Sequence, residues 1–210
     1  YYTTTLDTNI STLVAEKTSV ELPDNSQVSL NALSTLTYNK NNWSKNRSIT
    51  LNGEAYFKVA KGSKFRVSTP LGVITVLGTQ FNVKQRNNLL EVNCYEGSVK
   101  VSYNKTTAVL KAGDSFLILD GKYIAQEKEN RLNPSWINNK SYFKSIPLNY
   151  VLDELERQYN ITVHANSIDL NEIYTGTFSH KDIELALKSI TLPLNLKYRI
   201  QDNSVVLTRE

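Results

Sequence analysis

The stretch Arg47-Ser48-Ile49-Thr50-Leu51-Asn52-Gly53-Glu54-Ala55-Tyr56-Phe57-Lys58-Val59 sets the fold class. Apolar and polar side chains alternate in Arg47 to Leu51. An apolar-rich run follows in Ala55 to Val59, and successive residues of an extended chain point to opposite faces. Gly53 lies between the two runs, where positive φ or a close backbone approach is most often needed. Moving outward, the same short runs recur. Upstream, Gln27 to Leu30 follows the turn Leu22-Pro23-Asp24-Asn25-Ser26, in which Pro presets φ and Asp or Asn takes the left-handed position at low cost. Downstream come Lys64 to Val67, Val73 to Leu77, Gln80 to Val83, Leu89 to Cys94, Ser98 to Tyr103, Ala108 to Leu110 and Ser115 to Leu119, with glycines between them. No amphipathic window of helical length interrupts the series. Residues 1–130 therefore read as an all-β domain: a sandwich, a barrel or a short β-solenoid, among which period alone does not choose.

The pattern changes after residue 130. Residues 131–141 read as a polar linker carrying Pro134 and Trp136, and residues 142–210 as a small α+β domain. Leu148, Val151, Leu152, Leu155 and Tyr159 form one helical stripe over Pro147 to Gln158, with Asp153 and Arg157 spaced to pair. Strands follow at Ile161 to His164 and Tyr174 to Phe178. A second helix starts near Ser179 as N-cap, with the stripe Ile183, Ala186, Leu187 and Ile190. Strands at Leu194 to Ile200 and Ser204 to Thr208 close the chain. The order is (β)αβ–βαββ, two βαβ-type units with both helices expected on one sheet.

Bulk properties narrow the function classes. The 210 residues carry 24 Lys and Arg against 20 Asp and Glu, a net charge of +4 spread along the chain, not the basic block of a nucleic-acid footprint. The chain contains no Met, so it reads as a processed or trimmed product. No apolar run approaches the ~20 residues needed to span a bilayer. The single cysteine, Cys94, shares a strand face with Leu90 and Val92 and reads as a small core residue.

Chemistry is hard to find. His164 and His180 belong to no short-range metal pattern, phosphate-loop glycines are absent, and nothing marks Glu54, Glu91 or Glu96 as a catalytic pair. No catalytic, cofactor-binding or metal residue is assigned. The 12 tyrosines, with Trp43 and Trp136, serve cores and interfaces, or alternatively line a carbohydrate-binding or adhesive sandwich face.

An ordered set of motifs resembles the FecR protein family. It comprises Leu22-Pro23-Asp24-Asn25-Ser26 with Val28 and Leu30-Asn31; Ser34, Leu36 and Tyr38; and Leu51-x-Gly53-Glu54-Ala55-Tyr56-Phe57-x-Val59. Phe65-x-Val67-x-Thr69, Val76-Leu77-Gly78-Thr79-x-Phe81-Asn82-Val83, Glu96-Gly97-x-Val99-x-Val101 and Leu110-x-x-Gly113 follow in order. Asn25 stands where the family usually has Gly, and Cys94 is unusual in its strand. Trp136, Phe143, Pro147-Leu148-x-x-Val151-Leu152-x-x-Leu155, Tyr159, Gly176, Phe178 and the Leu187 helix resemble the small domain closing many FecR-like proteins of the Bacteroidetes type. That domain is itself similar to the secretin/TonB short N-terminal domain.

The resemblance implies the periplasmic region of a single-pass inner-membrane anti-sigma factor. It would sense the signalling domain of an outer-membrane TonB-dependent transporter and act on a cytoplasmic sigma factor. The sigma-binding segment and the membrane helix are expected outside this stretch, and no cofactor or nucleic-acid partner is implied. The resemblance offers no catalytic residues. Docking by strand addition would use a sheet edge, with candidates at Tyr174, Thr175, Gly176, Thr177 and Phe178, and at Val205, Val206, Leu207 and Thr208. Trp136 and Phe143 are the expected inter-domain residues.

Overall fold

A computed structural model describes residues 7–209. They divide into two compact units, one formed by the chain up to Leu13 with Lys17–Pro134, the other by Val14–Glu16 with Ser135 onward.

The first unit is built from β1 (Thr8–Ser11), β2 (Thr18–Glu21), β3 (Gln27–Leu30), β4 (Thr35–Tyr38), β5 (Arg47–Lys58), β6 (Phe65–Ser68), β7 (Val73–Val76), β8 (Gln80–Arg86), β9 (Leu89–Glu96), β10 (Ser98–Tyr103), β11 (Thr106–Lys111), β12 (Ser115–Leu119) and β13 (Lys122–Ile124). All are hydrogen-bonded into one curled sheet. The two runs flanking Gly53 are a single strand, so the glycine marks a bend and not an end. Before the bend, β5 lies between β4 and parallel β6; after it, between β3 and β8, both antiparallel. One strand thus belongs to two layers, the usual way a sandwich turns a corner. The first layer runs β1-β4-β5-β6-β7-β10-β11 and the second β2-β3-β5-β8-β9-β12-β13.

Inward side chains from both layers make one core. Ile49, Phe65 and Val101 come from the first layer; Phe57, Phe81, Val92 and Cys94 come from the second. Phe57 and Phe81 stack with centroids 4.9 Å apart, and Trp43 closes one end edge-on to Tyr38 and Phe65. Full burial of each large apolar side chain contributes about 1.5–3 kcal/mol, and this cluster is the main source of the unit's stability.

The second unit contains a 3₁₀ turn at Ser135–Asn138, β14 (Lys140–Pro147), α1 (Leu148–Tyr159), β15 (Thr162–His164), β16 (Ile173–Ser179), α2 (Ile183–Thr191), a 3₁₀ turn at Leu192–Leu194, β17 (Leu196–Gln201) and β18 (Ser204–Arg209). Residues 135–141, expected in the linker, are ordered here: Trp136 is buried and β14 pairs with β16. The helices do not rest on one sheet. β14–β16 form one sheet and β15–β18–β17 another, and each helix contacts strands of both. The reason lies in α1, which buries Tyr150, Glu154 and Gln158 as well as its apolar stripe, an arc too wide for a single sheet. The N-cap of α2 is Asp182, three residues past Ser179; its carboxylate accepts the Leu185 N–H at 3.0 Å.

Gly176 is required by its neighbour on the same strand. A Cβ there would lie 2.3 Å from the Tyr174 hydroxyl, which crosses over Gly176 to donate to Ser189 O at 3.0 Å. Gly53 is tighter in backbone terms: φ is +118°, and a Cβ would meet Ser34 Oγ at 2.4 Å. Gly53→Ala combines a disfavoured φ with overpacking. It should lower the stability of the first unit by roughly 2–4 kcal/mol, read as a fall in urea midpoint at unchanged slope.

Candidate interaction site

Ionisable clusters come first, because a reactive centre would lie among them. Ser141 Oγ sits 2.8 Å from His180 Nε2 and 3.4 Å from Glu154 Oε1. A nucleophilic triad places the acid on the far nitrogen of the imidazole. Here Glu154 meets the serine instead, and Arg157 and Gln158 donate to the same carboxylate at 3.0 and 2.8 Å. Arg157 thereby binds Glu154, three residues back, where the sequence spacing pointed to Asp153. Ser141 and Glu154 are both buried, so the cluster satisfies an interior acid. Among the described residues no group of three or more His, Cys, Asp or Glu side chains could hold a metal.

In the first unit, Glu54 is buried and accepts from Asn31 Nδ2 and Asn82 Nδ2 at 2.9 Å each. Burial pushes the Glu91 carboxyl up; Lys84 pulls it down and Glu54 adds to the rise. Arg86 donates to Leu33 O at 2.6 Å and Ala32 O at 2.7 Å, clamping the left-handed residue Leu33. These contacts hold loops and explain motif residues as structure.

The Leu22–Ser26 turn is held in a similar way. Asn25 adopts φ 65°, the left-handed position expected of it. Arg47 binds Asp24 at 2.5 Å and donates to Ser63 O and Ala60 O at 2.7 Å each. Burial alone would raise the Asp24 carboxyl. The Ser26 hydroxyl and N–H, with Arg47, outweigh it and hold the group below its ordinary value. Other motif turns gather nearby: Val59 N–H donates to Thr79 O at 3.0 Å, and Gly97 packs where a Cβ would lie 3.0 Å from Gly78 O. Asn25, Lys58, Ala60, Lys61, Thr79 and Glu96 border a cleft of about 210 Å³ there.

The two strand candidates for docking separate cleanly. β18, carrying Val205, Val206, Leu207 and Thr208, is the middle strand of its sheet, paired parallel to β15 and antiparallel to β17. With both edges taken it offers none for strand addition, and Val205 and Leu207 are core residues. β16, in contrast, pairs with β14 alone among the described strands. Tyr174 and Phe178 point inward, while Ile173, Thr175 and Thr177 are exposed, Ile173 by 56%. Ile173 is the exposed β16 residue that the sequence did not single out; its apolar chain on an otherwise polar strand face was the available signal. Trp136 and Phe143 are buried members of the second unit, with Phe143 stacked on Phe178 at 5.7 Å.

Aromatic exposure bears on the carbohydrate alternative. Among the described tyrosines Tyr123 is the one that stands mostly in solvent, and Trp43 and Trp136 are buried, so no row of described aromatics faces solvent.

Comparison with known proteins agrees with the motif order. Residues 8–100 match the FecR protein family and residues 140–207 match the FecR C-terminal family. The chain belongs to the FecR family of anti-sigma factors. No curated protein sequence matches this FecR chain. Two crystal structures of a provisionally assigned anti-sigma factor from Parabacteroides distasonis are similar to it. The 1.65 Å structure is 27% identical, with TM-score 0.89, over 97% of this chain and 99% of that one. The 2.50 Å structure is 28% identical, with TM-score 0.91, over 98% and 100%.

Two outcomes test this account of the buried groups. Asp24→Asn leaves Arg47 uncompensated and should cost about 3 kcal/mol at neutral pH. Because the native Asp24 carboxyl lies below its ordinary value of 3.8, its contribution is complete above that pH and is lost as pH falls further. The variant should therefore lose part of the acid dependence in a chemical-denaturation series. Burial, then Asp114, pushes the Cys94 thiol from 9.0 up to about 11. The protonated thiol thus stabilises the fold below pH 9.0, a contribution lost as pH rises towards 11. Cys94→Ala should flatten that alkaline decline relative to the parent.

Proposed function

We propose that this FecR chain is the periplasmic sensor region of a transmembrane anti-sigma factor, and that it works by protein–protein binding without chemistry of its own. The signal source is the signalling domain of an outer-membrane TonB-dependent transporter. The sigma factor is reached through a cytoplasmic segment beyond a membrane helix. The family matches over both parts of the chain carry this reading. Among the described residues no helix is long and apolar enough to cross a membrane.

The docking element is β16. A strand added beside it gains main-chain hydrogen bonds, and the alternation of Ile173, Thr175 and Thr177 along the exposed face supplies specificity. Transmission then uses the chain itself, which passes between the two units at Leu13–Val14, Glu16–Lys17 and Pro134–Ser135.

Calorimetric titration of a purified transporter signalling domain into the 210-residue chain tests the reading. Micromolar binding is expected, in the range of transient signalling contacts. Thr175→Pro and Thr177→Pro each remove a backbone donor from the open edge of β16, because the residues of opposite parity at its two ends, His180 and Glu172, bond to Asn139 and Leu148 on the β14 side. Each variant should weaken binding roughly tenfold or more. Absence of binding by the parent chain, or full binding by both variants, overturns it.

A further inference from the structure

The two layers of the first unit treat their outer faces differently. On the second layer, outward residues such as Glu54, Tyr56 and Asn82 are buried, and Glu129 in the segment after β13 donates its N–H to Gly113 O at 2.9 Å. The first layer is bare. Its outward residues alternate with core residues in every strand, and none of them is buried.

The register aligns these residues into cross-strand rows. One row runs Asn9, Thr37, Thr50, Ser68, Val73, Ser102, Thr107 across all seven strands. It holds hydroxyl or amide groups at six positions and a charge at none. The next row runs Ser48, Arg66, Thr75, Lys100, Val109. Arg66 and Lys100 stand two strands apart, about 10 Å at ordinary strand spacing, with the Thr75 hydroxyl between them. Both cations are exposed, and neither has a carboxylate partner among the described residues. No outward residue of these seven strands is acidic; Asp7 precedes β1 at one margin and accepts from Asn39, and Asp114 lies beyond the end of β11 at the other, where it accepts the Lys111 N–H.

We infer that this face is a docking surface for an anionic glycan: a chain of sugar hydroxyls carrying carboxylates. Ser, Thr and Asn rows both donate and accept, as sugar hydroxyls do. Arg66 and Lys100 supply cations for two carboxylates, and the absence of acids removes like-charge repulsion. A bilayer fits less well. The outward apolar side chains of these strands are Val73 and Val109, with exposed Leu77 just beyond β7, and the three outward cations Arg66, Lys100 and Lys111 fall short of the clusters of four to eight that hold a protein to anionic lipid. With no exposed aromatic platform and contacts close to water, binding is weak and salt-sensitive. The proposal is independent of the partner assigned to β16.

The test is an amide chemical-shift titration of the 210-residue chain with an oligogalacturonate of defined length. Its fully methyl-esterified form, anionic phosphatidylglycerol vesicles and a short DNA duplex serve as comparison arms. Saturable shifts confined to β4, β5, β6, β7, β10 and β11 are expected with the carboxylated glycan and fade on adding salt. The ester, and the double variant Arg66→Gln/Lys100→Gln, should each bind roughly tenfold more weakly, the effect of losing two exposed charge contacts. Both substitutions are at exposed positions, and an otherwise unchanged spectrum verifies the fold. No shifts at millimolar glycan, shifts elsewhere, full binding by the double variant, or stronger binding to vesicles or DNA than to glycan would each overturn the inference.

Discussion

The first unit depends on one strand serving two layers. β5 gives its first half to one sheet face and its second half to the other, and the change of partners falls at Gly53. A side chain at that point has nowhere to go, because Ser34 occupies the space and its Oγ also accepts the Glu54 N–H at 3.0 Å. The bend also frees backbone polar groups that a straight ladder would pair. Ser34 Oγ takes the Glu54 N–H, Glu54 O accepts the Asn31 N–H, Asn31 Oδ1 accepts the Ala32 N–H, and Arg86 secures the loop carbonyls of Ala32 and Leu33, while the Asn31 and Asn82 amides satisfy the Glu54 carboxylate. Buried polar networks of this kind are costly when partly satisfied and rigid when complete. The core then needs only complementary volume from the two layers.

This division of labour accounts for the motifs. The residues that carry the FecR resemblance are glycines at close approaches, turn residues such as Asp24 and Ser26, and inward aromatics. Their chemistry is the chemistry of corners. The surfaces proposed for partners, the exposed edge of β16 and the bare first-layer face, present side chains that lie mostly outside those motifs.

Local periodicity made most elements legible. The alternation at Ile49, Thr50 and Leu51 marked a strand, and the stripe from Leu148 to Leu155 marked α1, since both patterns follow from backbone geometry alone. Asn25 was legible because few residues tolerate its φ. Strand order was not. Nothing in Val205 to Thr208 distinguishes a middle strand from an edge, as apolar alternation reports burial of a face and is silent on which neighbour takes the hydrogen bonds. Gly53 is legible as a site of positive φ or close approach between two runs, but such a glycine looks the same whether the chain stops or bends. The two-sheet arrangement of the second unit was hidden by polar residues, Glu154 and Gln158, buried on a side of α1 that hydropathy marks as solvent. Ser179 and Asp182 are both sound helix starts, and only the carboxylate that reaches the Leu185 N–H decides between them.

Val14–Glu16 carries a further consequence. Ala15, at φ 57°, donates its N–H to Arg157 O at 2.8 Å near the end of α1, so three residues from the start of the chain complete a unit that otherwise begins at Ser135. The protein is consequently not a pair of beads that dissection at Pro134 would separate intact. A fragment beginning at Ser135 would expose a helix-end carbonyl that the whole polypeptide keeps paired, and the remainder would keep a short loop whose host had gone. Autonomy of the parts is sacrificed to this contact, which ties the folding of the last segment to residues more than a hundred positions earlier in the chain.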